Sequence, residues 1–241
     1  MEVVIVPPRS DVPSPDEEEP MTQHSAIVCE DKSILFVSDR KERQSSGDAA
    51  RAELVDKAKV VPSEAGFIWS WAGIGNAEHA ATIVEEWLCH EANLSSWKDL
   101  VSALSDEVRN ANVACNAGAI FLFAGFLGGV PGILHVHRNG IHDWDDGTPR
   151  CDDRAIGQSC LTVSVAWEYV KRFHPEDRTA RHYCDLVMMV NKEDPDLCGL
   201  TAYKVFSDNQ PRELFWASDE GWTPPKSKLA AIFESAMEAE S

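Results

Sequence analysis

The chain has 241 residues, 44% of them hydrophobic, including eight Trp and nine Phe, which is enough to bury a sizeable core. A net charge of −18 argues against nucleic acid or an anionic membrane as partner, because both repel such a surface. The seven Cys are scattered with no C-x-x-C pair; they signal neither a zinc site nor a disulfide framework, and they fit a reducing, cytoplasmic setting.

Residues 1 to 20 are Pro-rich and acidic and cannot bury a core. The reading is a disordered leader or prosegment over 1–21, followed by one domain over 22–241. Three accounts of the leader stand open: removal that frees Thr22, an extension never translated before Met21, or a permanent tail. Two short apolar runs, Ala26 to Cys29 and Ile34 to Val37, flank the polar break Glu30-Asp31-Lys32-Ser33 and predict a hairpin. The stretch Arg40 to Asp56 is polar and reads as a surface loop with a short helix around Ala49 to Val55. A strand starts at Lys57-Ala58-Lys59, and Phe67 to Trp71 alternates into the Gly-rich turn Ala72-Gly73-Ile74-Gly75.

Apolar residues at the 3.6 period predict helices over 76–90 and 97–113. Strands are expected over 119–126, 132–137, 141–144 and 151–156, with further helices over 161–173 and 179–192. A strand pair over 200–207 and 213–217 and a terminal helix over 226–238 complete the chain. The best apolar stretch, Ala117 to Ile133, is broken by five glycines and a proline, so no membrane span is expected. Runs of strands alternating with helix pairs predict an α+β fold. Its form is a four-layer αββα sandwich, with two antiparallel sheets between helix pairs.

At Asp39, Lys59, Gly73 and Gly157 the chain resembles the proteasome β-type branch of the N-terminal nucleophile (Ntn) hydrolases. Thr22 and a hairpin ending in Val37-Ser38-Asp39 match the family's opening, and Lys59-Val60-Val61 and Ala72-Gly73 match its next two motifs. Gly157-Gln158-Ser159 stands where the family has Gly-Ser-Gly, and Asp194, with Asp196 as competitor, stands before Leu197-Cys198-Gly199. The resemblance runs from about residue 22 to about 207. It implies a threonine hydrolase that cleaves peptide or amide bonds through an acyl-enzyme. Thr22 would be the nucleophile, Asp39 and Lys59 the charged pair that activates it, Gly73 the oxyanion donor, and Asp194 a supporting acid. A terminal threonine can use its own α-amine as base, since that amine titrates near neutrality.

Thr22 lies 39 − 22 = 17 positions before Asp39, one more than the family's spacing, so a bulge in the turn is expected to absorb the difference. Ser25 is the second candidate nucleophile. The resemblance further implies a peptide or protein substrate, a homo-oligomeric ring and a place for a regulatory ATPase, with no cofactor and no metal. Trp87, Trp97 and Trp167, on or beside helices, are the expected anchors of the ring contacts. The alternative on the same fold is a catalytically inactive subunit with an assembly or regulatory role. A third reading, metal binding by His135, His137 and His142 with Asp143, Asp145 and Asp146, gives way to a polar strand end and turn, because no third ligand has a fixed spacing.

Overall fold

The computed structural model describes residues 22–39, 41–43, 52–54, 58–60, 66–144, 148–175, 178–193, 199–207 and 213–218. In chain order the elements are β1 (Gln23–Val28), β2 (Ile34–Ser38), β3 (Lys41–Arg43), β4 (Ala52–Leu54), β5 (Lys59–Val60) and β6 (Phe67–Ala72), then α1 (Ala77–His90) and α2 (Trp97–Cys115). There follow β7 (Ile120–Leu127), β8 (Val130–Val136), β9 (Arg154–Gly157), α3 (Cys160–Phe173), α4 (Ala180–Glu193), β10 (Leu200–Val205) and β11 (Glu213–Ser218). One sheet has the order β11-β10-β2-β1-β9 and the other β5-β6-β7-β8, all antiparallel, while β3 and β4 pair only with each other.

Strand alternation sorts the apolar residues into three buried layers. Phe67, Trp69, Phe121, Phe123, Leu134 and Val136 face α1 and α2, where they meet Val84, Leu88, Trp97, Leu100 and Leu104. Their neighbours Ile68, Ala72, Leu122, Ala124 and Ile133 turn the other way and meet Ala26, Ile34, Phe36 and Ile156 across the gap between the sheets. Ile27, Leu35, Val37 and Ala202 then bury against Val163, Trp167, Tyr183 and Val187 of α3 and α4. The molecule is an αββα sandwich. Each of these large side chains contributes about 1.5–3 kcal/mol on leaving water, so all four layers are held by area rather than by any one contact.

Local chemistry sets the element ends. Ser96 is the N-cap of α2, its hydroxyl accepting the Asp99 N–H at 3.2 Å, and Asn116 closes the helix in a left-handed conformation. Three expectations change. The segment read as a helix around Ala49 to Val55 contains the strand β4, paired with β3, because local helix propensity is weak against pairing with a neighbour. The strand expected at 141–144 shrinks to one bridge between Val136 and His142, since Asn139 and Gly140 make the turn too tight for more. Trp97 and Trp167, taken as outward anchors, are 1% and 3% exposed and belong to the core, and Trp87 packs against it. Asp145, Asp146, the terminal helix at 226–238 and residues 1–21 lie outside the described residues, as do Asp194, Asp196 and Cys198.

Candidate active site

The start of β1, the end of β6 and the end of β9 meet at one end of the sandwich. Gly157 has φ +88°, and a Cβ there would lie 1.8 Å from the Thr22 carbonyl oxygen and 3.2 Å from the Ala72 Cβ. Only glycine lets those three segments close. The next N–H, that of Gln158, donates to the same Thr22 carbonyl at 2.8 Å. The Thr22 Oγ1 is buried and has no hydrogen-bond partner among the described residues. Thr22, Ala72 and Gly157-Gln158, far apart in sequence, are therefore brought together.

Asp39 reaches this site through Gln23. The carboxylate accepts the Gln23 N–H at 2.9 Å, and the Asp39 N–H donates to the Gln23 carbonyl at 2.9 Å. The hairpin register explains why. β1 pairs β2 without interruption from Val28–Ile34 to His24–Ser38, and the connecting turn is a tight one, with Lys32 at φ +63°. A three-residue loop ending in a left-handed residue keeps the ladder in phase. The bulge expected to absorb the extra residue is absent from the pairing of β1 with β2, so Gln23, not Thr22, stands opposite Asp39.

Alternation then divides the chain start between two faces. Gln23 and Ser25 lie on the α3–α4 side with Ile27; Ser25 sits beside the buried Tyr183, whose phenol burial pushes far above its usual range. His24 lies on the inner side with Ala26, fully buried, its Nε2 2.8 Å from the Trp71 carbonyl oxygen. Because that oxygen only accepts, the proton belongs on Nε2. His24 thus straps β1 to β6 one residue before Ala72. Sequence reasoning overlooked it, although its even spacing from Ala26 was the signal for an inward-facing position.

Lys59 takes a different place. It pairs with Trp69 across β5 and β6, and cross-strand partners share a face, here the one towards α1 and α2. Its ammonium lies 3.9 Å from Glu85 of α1 and 5.8 Å from the centre of the Trp71 ring. Gly73 is accounted for by packing: a Cβ would lie 2.7 Å from the Gly118 carbonyl oxygen and 2.8 Å from the Ala119 Cα. Among the described residues no group of three or more His, Cys, Asp or Glu is placed to hold a metal. No helix among them is long and apolar enough to cross a membrane.

No protein-family model and no curated protein matches the chain. The resemblance to the proteasome β-type branch is therefore corrected at the level of sequence: its motifs do not establish membership. Solved structures do match. Anbu (ancestral beta-subunit) from Yersinia bercovieri superposes with a TM-score of 0.63 at 14% identity, covering 91% of this chain and 94% of that one. The Anbu (Gly-1) mutant from Hyphomicrobium sp. strain MC1 superposes with a TM-score of 0.53, with the same identity and coverage. The αββα fold is one that this chain shares with these structures. At 14% identity the likeness to Anbu concerns the path of the backbone and leaves the chemistry to the residues described above.

Proposed function

We propose that this chain is a catalytically inactive subunit on the proteasome-related fold, with an assembly or regulatory role in a cytoplasmic homo-oligomer. The observation that supports it best is the register of the opening hairpin: Asp39 is engaged by Gln23, whose side chain offers no nucleophile. Lys59 adds to this, since its ion pair is with Glu85 and its face is the wrong one for lowering the proton affinity of a threonine at the chain start. A threonine still linked to residue 21 also lacks the free amine that would serve as its base.

A second reading has an observation of its own. The Thr22 hydroxyl is buried without a described partner, and its carbonyl is held by the Gln158 N–H beside Gly157 and Ala72. On that reading residues 1–21 are a leader, and 22–241 form a threonine hydrolase acting on peptide or protein substrates. Asp39 and Asp194 then keep the roles given above, Lys59 would have to leave Glu85 to take up its own, Gly73 would serve as oxyanion donor, and a regulatory ATPase feeds the assembly.

One experiment separates the two. The purified protein is treated with an epoxyketone or β-lactone probe, and its intact mass and peptide map are recorded. The inactive subunit gives no adduct in a folded, assembled sample. An adduct on Thr22, together with loss of residues 1–21, overturns this proposal in favour of the hydrolase.

A further inference from the structure

Where β8 faces β9, charged and titratable side chains gather at the edge of the inner layer. Ile133 and His135 alternate onto the inner face of β8, as the pairing of His135 with Leu122 and of Ile133 with Ala124 requires, and the exposed His137 follows just past the strand's end. Arg154 opens β9 on the facing side, paired with Ala26. The imidazoles of His135 and His137 lie 4.3 Å apart between centroids. Asp143 closes the group: it accepts the His135 N–H at 3.2 Å through one oxygen and the Arg154 Nε–H at 2.5 Å through the other, while its own N–H donates to the His135 carbonyl at 3.2 Å. Asp152 meets the outer side of Arg154 at 3.4 Å, and His142 turns away to accept the Trp144 N–H.

We propose that His135, with Asp143 and Arg154, forms an acid-sensitive latch that holds β9 against β8 while its imidazole is neutral and lets it go as it takes up a proton. The charge balance carries this. With His135 neutral, Asp143 and Arg154 compensate each other beside it. A proton on His135 adds a cation facing Arg154, with Asp143 already engaged. The fold resists that proton: burial pushes His135 down to about 4, with repulsion from His137 and Arg154 helping and Asp143 opposing. A histidine whose affinity for protons is depressed by folding favours the closed form above about pH 6.5, and that contribution drains away as the pH falls from there towards 4. The consequence reaches the candidate site, because β9 has only four residues and its far end, Gly157-Gln158, clamps Thr22. The latch stands whichever reading of Thr22 holds.

The test is amide hydrogen exchange on the full chain between pH 7 and pH 4.5, corrected for intrinsic exchange. Amides of β9 and of Gln158 should lose protection tenfold or more in the wild type, while those of β7 change little. In a His135→Gln variant the protection of β9 should be flat over the same range. Equal losses in both proteins, or no loss in the wild type, overturn the latch. Should the variant not fold, the imidazole C–H resonances of the wild type decide: His135 must titrate below pH 6.5, and a midpoint at or above that value refutes the proposal.

Discussion

Gly157 carries the tightest constraint at the chain start. A methyl group placed 1.8 Å from the Thr22 carbonyl oxygen meets backbone, which cannot swing aside as a side chain would, and the residue's φ of +88° is strained for any L side chain. Gly157→Ala should therefore cost about 3 kcal/mol or more, read as a lowered midpoint in urea unfolding. A loss under about 1 kcal/mol would mean that the Thr22 clamp is looser than described. Lys59 lies at the other extreme. Its contact with Glu85 is long, and both side chains are more than a third exposed, so water screens the pair. Lys59→Ala should shift stability by no more than about 0.5 kcal/mol, and the same urea titration checks it.

At the scale of elements, the corner between α2 and β7 depends on one buried amide. The Asn112 Nδ2 donates to the Val108 and Ala119 carbonyl oxygens at 3.0 Å each, and its Oδ1 accepts the Ala119 N–H at 2.7 Å. Leucine at this site would match the volume but leave the Ala119 N–H and carbonyl without those partners. Asn112→Leu should cost about 2–3 kcal/mol, measured as a fall in unfolding free energy with an unchanged denaturant slope. The corner also carries Gly118 and Ala119, against which Gly73 packs, so the variant should loosen the turn after β6. Faster exchange of the Gly118 amide, which donates to the Ile74 carbonyl, would report it.

For the whole molecule, the arrangement of layers bears on assembly. With Trp97 and Trp167 inside the core, the proposed homo-oligomer would need other surface for its contacts, and exposed apolar residues such as Leu161 and Phe173 on α3 are available for it. Light scattering at low micromolar concentration should give a mass that is a multiple of 26.7 kDa. A mass equal to that of one chain rules out the homo-oligomer. Closure into a ring follows only if the contacts repeat head to tail, and electron microscopy of the same sample checks that.

The sequence by itself determined the order of elements and the layering. Period-2 runs such as Phe67 to Trp71 and period-3.6 runs such as Leu100 to Val108 report which face is buried, and burial of faces is what drives these layers together. The resemblance gathered Thr22, Asp39, Lys59, Gly73 and Asp194 into one expected site, and the structure brings Asp39 to the start of β1 but Lys59 to Glu85. Which residue stands opposite Asp39 was not legible. That depends on whether the Glu30–Lys32 turn takes up one residue, a matter of backbone geometry on which composition is silent, and the register puts Gln23 there. The partner of Lys59 was equally hidden, since Asp39 and Glu85 are alike as charges. Only the packing of α1 over the β5–β6 edge decided that Glu85 is the one within reach.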